Sequence, residues 1–150
     1  MKTLILYYSK HGVTKKVARL LNSQIVDSEL SLVTEFDGDL DEFDDIYLGS
    51  PTYMGKLNKE FISFINKNRD ALLNKDVKVF VVGMAPENFP VLLESHFDKE
   101  MQEKWMIRHV GGGYNFNSMN FIERFVVKRV SKYKESTEQL NDAAIKELAQ

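Results

Sequence analysis

Short, almost wholly apolar runs alternate along this chain with stretches in which apolar residues recur at helical spacing. Thr3–Tyr8 and Val77–Gly83 are the clearest apolar runs, and both are rich in β-favouring residues. Apolar runs without polar alternation suit strands that are covered on both faces, as in a parallel sheet. Strands that alternate with helical segments indicate an α/β fold. This alternation narrows the choice of fold more than any other feature of the sequence.

The pattern predicts five strands, with helices between and after them. The predicted strands are Thr3–Tyr8, Ser31–Phe36, Asp45–Gly49, Val77–Gly83 and Trp105–Val110. The predicted helices begin at Val13 and at Asn58, extend from Pro90 to about Lys104, and cover Ser118–Lys134 and Thr137–Ala149. The 150 residues contain no internal repeat and no linker, which predicts a single domain over residues 1–150.

Composition excludes several classes of protein. With 43% hydrophobic residues and a net charge of −2, neither disorder nor general nucleic-acid binding is expected. The chain has no cysteine, which rules out disulfides, thiolate catalysis and Cys-ligated metals, and its three histidines argue against a zinc site. The longest apolar stretch, near Val79–Ala85, is far shorter than the ~18 residues of a membrane span. We therefore expect a cytoplasmic protein without a bound metal.

Three predicted loops each follow a predicted strand: residues 9–14, 50–55 and 84–88. In an open parallel sheet, ligands bind beyond the carboxyl ends of the strands. If the strands are parallel, these loops lie at one edge of the sheet. They are therefore the place to look for a binding site.

The first loop resembles an anion site. Gly12 allows tight turning of the backbone, and free N–H groups at a helix start bind phosphate. Lys10, Lys15 and Lys16 lie near this helix start, where cations are disfavoured unless an anion is bound. Ordinary N-capping, in which a Ser or Thr side chain satisfies the free N–H groups of the helix start, is the alternative interpretation.

The second loop, Gly49-Ser50-Pro51-Thr52-Tyr53-Met54-Gly55, carries the most specific signal. A buried strand ends there in a turn that presents an aromatic ring between glycines. A planar aromatic ligand can stack on Tyr53. The alternative is a plain strand-to-helix turn whose tyrosine packs on the surface.

Taken together, these segments resemble the flavodoxin family over nearly the whole chain. The match rests on residues 9–14, on Phe43–Tyr53 and on Val79–Asn88. The resemblance implies a flavodoxin-like three-layer α/β/α sandwich with strand order 2-1-3-4-5 and with FMN as the cofactor. The flavin would carry the redox chemistry, so no catalytic side chains are expected.

The resemblance also implies which residues bind FMN. The phosphate would be held by Ser9, Lys10, His11, Gly12, Val13 and Thr14. The isoalloxazine would be lined by Pro51, Thr52, Tyr53, Met54 and Gly55, and closed on its other side by Met84, Ala85, Pro86, Glu87 and Asn88.

A Phe-rich, basic helix is predicted after Gly111–Gly113. This order of segments resembles the menaquinone-dependent protoporphyrinogen oxidase branch of flavodoxin-domain proteins. That resemblance implies a porphyrinogen substrate, a quinone acceptor and peripheral contact with the inner face of the membrane. The residues that would pair with substrate propionates or lipid phosphates are Arg124, Lys128, Arg129 and Lys132. Packing of this helix on the sheet is the alternative interpretation.

An acidic run between Asp37 and Asp45 supports a second hypothesis, a flavodoxin-type electron carrier that docks a basic redox partner protein. A solvated loop is the simpler interpretation of that run. A flavodoxin-like module that has lost its flavin and serves in regulation is a third hypothesis.

Overall fold

A parallel sheet forms the centre of the protein. The computed structural model describes residues 2–10, 12–114 and 137–150. The five strands of this sheet are β1 (Thr3–Tyr7), β2 (Ser28–Leu32), β3 (Asp45–Tyr53), β5 (Asp76–Val82) and β6 (Met106–His109). They are ordered β2-β1-β3-β5-β6, with all four neighbouring pairs parallel. Counted along the chain, the five parallel strands therefore follow the predicted order 2-1-3-4-5, which confirms the expected flavodoxin-like fold.

Three short antiparallel strands were not predicted. Strand β4 (Lys56–Leu57) folds back on the end of β3. Strands β7 (Gly111–Tyr114) and β8 (Thr137–Leu140) form a separate two-stranded ribbon.

Helices cover both faces of the sheet. They are α1 Val13–Gln24, α2 Lys59–Lys67, α3 Arg69–Leu73, α4 Phe89–His96, α5 Lys99–Lys104 and α6 Asp142–Ala149. Short 3₁₀ turns lie at Leu40–Glu42 and Pro86–Asn88.

Alternation along each strand divides the core into two layers. In β1, Leu4 and Leu6 face the cluster that α2–α5 cover, whereas Ile5 and Tyr7 face α1 and α6. Successive strand side chains point to opposite faces, so a run that is apolar at every position supplies both layers. This explains why the apolar runs identified β1 and β5 so well.

The edge strand β2 was predicted in the wrong place. It covers Ser28–Leu32 rather than Ser31–Phe36, and its residues are only partly covered. An edge strand with one open side carries little apolar signal in its sequence. The stretch after it turns instead, since the N–H of Phe36 donates to the carbonyl of Leu32.

Two helix predictions were wrong in detail. The predicted helix from Pro90 to about Lys104 is divided, because the Asp98 carboxylate accepts a hydrogen bond from the N–H of Met101 and caps α5. The final helix begins at Asp142 rather than Thr137, because Asn141 caps it and the residues before it form β8. The predicted helix Ser118–Lys134 lies outside the described residues.

Candidate functional site

The three predicted loops meet at one edge of the sheet. Strands β1, β3 and β5 are neighbours and parallel, so the turns that follow them share the carboxyl edge. The Nζ atom of Lys10 lies 5.7 Å from the centroid of the Tyr53 ring, which joins the first turn to the second. The Thr52 hydroxyl donates to the carbonyl of Val82 at 3.3 Å, which joins the second turn to the third.

The first turn has the shape of an anion cradle. Gly12 has φ +94°, and a Cβ placed there would meet no atom within 4 Å. The residue at the N-cap position is Gly12 itself, and the Ser9 hydroxyl accepts hydrogen bonds from the N–H groups of Gly12 (3.1 Å) and Lys15 (3.4 Å). Among the described residues, the N–H groups of Val13 and Thr14 have no partner, as expected at a helix start. His11 lies outside the described residues.

The charges around this turn favour an anion. The first turn of α1 contains no acidic residue, although acidic side chains are the ones that stabilise a helix start. It carries Lys15 and Lys16 instead, and Lys16 pairs with Glu138 at 2.6 Å. Open space beside Gly12, free N–H groups and the positive charge of Lys15 together fit a bound phosphate group.

The second turn is a tight hairpin rather than a strand-to-helix turn. Met54 and Gly55 connect β3 to β4, and both have positive φ (53° and 79°). Two successive residues with positive φ form the type I′ turn that suits a two-residue hairpin. The turn leaves Tyr53 and Met54 at the tip, 52% and 65% exposed.

Side chains hold this hairpin in place. The Ser50 hydroxyl accepts a hydrogen bond from the N–H of Asn58 at 3.1 Å. The N–H of Leu57 donates to Nε2 of His96 on α4, at 3.4 Å. The ring of Tyr53 is therefore presented from a braced element, as stacking on a planar ligand requires.

The third turn packs directly against the second. Gly83 approaches Thr52 so closely that a Cβ at position 83 would collide with the Thr52 hydroxyl. Met84 and Ala85 are half-buried behind it, and Pro86–Asn88 form an exposed 3₁₀ turn. The described residues predicted from the resemblance thus surround a single region at the carboxyl edge.

His109 is a residue of this region that the sequence did not reveal. Its Nε2 donates to the carbonyl of Gly83 at 2.9 Å, and its Nδ1 accepts from the N–H of Gly111 at 3.4 Å. Burial lowers the pKa of His109, while the bond to Gly83 and the charge of Glu87 partly offset that effect. The ring is therefore a neutral brace between β6, the third turn and β7. A lone histidine at a strand end gives no sequence signal for this role.

The β7–β8 ribbon stands beside the first and third turns. The N–H of Gly83 donates to the carbonyl of Gly111 at 2.8 Å, and Glu138 on β8 pairs with Lys16 on α1. Tyr114 and Thr137 are register partners at the open end of the ribbon. The two described residues that flank positions 115–136 therefore lie next to each other. Arg124, Lys128, Arg129 and Lys132 lie outside the described residues.

Two further sequence expectations concern metals and membranes. In the described part of the chain, no group of three or more potential ligands is placed to hold a metal ion. Within the same ranges, no helix is long and apolar enough to cross a bilayer.

Comparison with known proteins identifies the family. The family model "Flavodoxin domain" matches residues 4–141. An uncharacterized protein of Methanocaldococcus jannaschii is 32% identical over 106 residues, which cover 69% of this chain and 65% of that protein. The match therefore spans less than two thirds of that relative's length.

Solved structures agree with the family model. A flavoprotein in complex with FMN from Lactobacillus acidophilus is 25% identical, with a TM-score of 0.56 over 74% of this chain and 92% of that one. A Fusobacterium nucleatum flavodoxin bound to flavin mononucleotide is 17% identical, with a TM-score of 0.56 over 72% and 70% of the two chains; at this identity it supports the fold alone. Because the family model covers almost the whole sequence and the sheet has the corresponding topology, the chain belongs to the flavodoxin domain family.

Proposed function

We propose that this protein binds FMN at the three turns and acts as a redox protein. The phosphate lies at the first turn, where Gly12 leaves space and Lys15 supplies charge. The isoalloxazine stacks on Tyr53, with Met84–Asn88 on its other side. Bound FMN supplies the redox chemistry, while the protein holds it and sets its electrostatic surroundings. Membership of the flavodoxin domain family and the FMN complex of the Lactobacillus acidophilus protein support this assignment.

In finer detail, we propose an FMN-dependent oxidoreductase that resembles menaquinone-dependent protoporphyrinogen IX dehydrogenase. Its donor is a porphyrinogen, and its acceptor is a quinone reached by peripheral contact with a membrane. The observation that carries this proposal is the Lys16–Glu138 ion pair at 2.6 Å, one residue from the open end of the ribbon. It places Glu138, which follows the basic, Phe-rich segment 115–136 by two residues, beside the proposed phosphate turn. Arg124, Lys128, Arg129 and Lys132 then serve substrate carboxylates or lipid phosphates.

The position of the acidic run favours this proposal over a carrier that docks through its acidic residues. The N–H of Asp44 donates to the carbonyl of Lys2, and its carbonyl accepts from the N–H of Asp76. Lys2 and Asp76 stand at or just before the amino ends of β1 and β5. The run therefore ends at the edge of the sheet opposite to the three turns. A partner docked on that end faces away from the proposed flavin.

Turnover with defined substrates tests the proposal. FMN-loaded protein is mixed with protoporphyrinogen IX and a menaquinone analogue, and porphyrin formation is followed by fluorescence. We expect turnover that falls when Arg124, Lys128, Arg129 and Lys132 are replaced together by Gln. The matched control replaces Asp39 and Asp41 by Asn, and its turnover is expected to equal that of the unaltered protein.

The same experiment identifies a carrier. Flavin that is correctly bound but gives no turnover contradicts the oxidoreductase proposal. If that flavin is then reduced by a protein reductase with a strong salt dependence, the carrier hypothesis replaces it.

A further inference from the structure

The ammonium group of Lys10 lies near the ring of Tyr53 in the second turn. Its Nζ lies 5.7 Å from the centroid of the Tyr53 ring. Lys10 belongs to the first turn and Tyr53 to the second, so the contact spans the centre of the site. A cation near an aromatic face is attracted by the negative face of the ring. That attraction helps to hold the Lys10 ammonium near the face of the Tyr53 ring.

The surroundings of Tyr53 add positive rather than negative charge. Lys56 on β4 is its register partner across the hairpin. Within the described parts of the three turns, the single carboxylate is Glu87, and it belongs to the third turn. The cationic side chains therefore lie on the side of the site where Tyr53 presents its ring.

We propose that Lys10 sets the reduction potential of the bound flavin, stabilising its reduced form and thereby favouring two-electron over one-electron transfer. This inference rests on the proposed FMN site. Uptake of two electrons from a reductant and one proton from solvent gives the ring system one negative charge more than the oxidised form has. A cation within several ångström stabilises that added charge through Coulomb attraction. Lys10 therefore raises the midpoint potential at which the bound flavin takes up its second electron.

The test measures the two one-electron midpoint potentials of FMN bound to the full chain, by dithionite titration against reference dyes. Lys10→Gln is expected to lower the second potential by an amount equivalent to about a tenfold change in equilibrium constant, which is ~59 mV for one electron. Lys10→Arg keeps the charge and is expected to keep the potential. Lys67→Gln, at the far end of α2, removes the same charge from an exposed position and is the matched control.

Binding constants give an independent readout. By linkage, Lys10→Gln is expected to weaken the binding of reduced FMN about tenfold more than the binding of oxidised FMN. This difference is expected to shrink as ionic strength rises, because salt screens partly exposed charges.

Three results overturn the inference: Lys10→Gln leaves the second potential unchanged, Lys10→Arg shifts it as far as Gln does, or Lys67→Gln shifts it equally. In each of these cases FMN still binds, so the proposed FMN site stands. If the unaltered protein does not bind FMN in the initial titration, the proposed function and this inference fail together.

Discussion

Tyr53 stands at the end of β3 with half of its surface exposed, in a hairpin that other side chains brace. Stacking on a planar ligand accounts for this placement. We predict that Tyr53→Ala weakens FMN binding by about 1–2 kcal/mol, whereas Tyr53→Phe keeps most of the affinity. Because the side chain is exposed, neither change is expected to alter the melting temperature much. Titration by quenching of flavin fluorescence measures both affinities, and equal affinity for all three proteins would remove Tyr53 from the site.

A substitution at Gly12 tests the proposed phosphate-binding turn separately. Its φ of +94° costs an L-residue about 1 kcal/mol or more, and a Cβ there would occupy the open space beside the helix start. Gly12→Ala is therefore expected to weaken FMN binding at least about tenfold and riboflavin binding much less, since riboflavin lacks the phosphate. The two ligands are titrated side by side, with circular dichroism as the check on folding. Equal losses for both ligands would contradict the phosphate cradle.

At the scale of elements, the β3–β4 hairpin contains a residue that is unfavourable for its turn. Met54 has φ +53° and is 65% exposed, and type I′ turns prefer Asn at that position. We predict that Met54→Asn raises the free energy of unfolding by roughly 0.5–1 kcal/mol and weakens FMN binding, because an apolar contact is lost. Urea unfolding without FMN measures the first effect. A variant less stable than the unaltered protein would show that Met54 does not strain the turn.

A strand could be predicted from the sequence where both of its faces are covered, because its side chains are then apolar at successive positions. Strands β1 and β5 are covered on both sides, and their apolar runs show it. The edge strand β2 and the glycine strand β7 carry no such signal, because one is half-exposed and the other has few side chains to pack. Strand β8 forms only by pairing with β7 across a long separation in sequence, which local patterns do not encode.

At the scale of the whole molecule, His109 links stability to pH. Burial holds its folded pKa below the usual value of 6.5, so the unfolded chain binds the proton more readily. Stability is therefore lost as the pH falls through 6.5 towards the folded pKa, and it is fully retained above 6.5. Because the ring is only half-buried, the loss is expected to be small.

Comparison with His109→Gln isolates this contribution, since Gln keeps a donor for the carbonyl of Gly83. Urea unfolding between about pH 7.5 and 5.5 measures the difference, since this range spans the ordinary histidine pKa. We expect the stability of the unaltered protein to fall more steeply with decreasing pH than that of the variant. Parallel pH profiles would show that His109 does not titrate in this range.

The grouping of the three turns could be predicted from the sequence, whereas the local detail of the site could not. Parallel strands necessarily bring the turns after β1, β3 and β5 to one edge, so the sequence was sufficient to group them. The hairpin at Met54–Gly55, the Thr52–Gly83 contact and the bracing by His109 depend on backbone angles and tertiary distances. No local pattern of residue types specifies these, so they had to be read from the structure.

Amide NMR spectra recorded during titration of the protein with FMN show both whether the nucleotide binds and where it binds. Saturable shifts are predicted for the amides of Gly12, Tyr53 and Gly83, with little change at Asp45 and Asp76, which begin β3 and β5 at the opposite edge. Absence of saturable shifts, or shifts concentrated at the amino edge of the sheet, would show that FMN does not bind at the three turns.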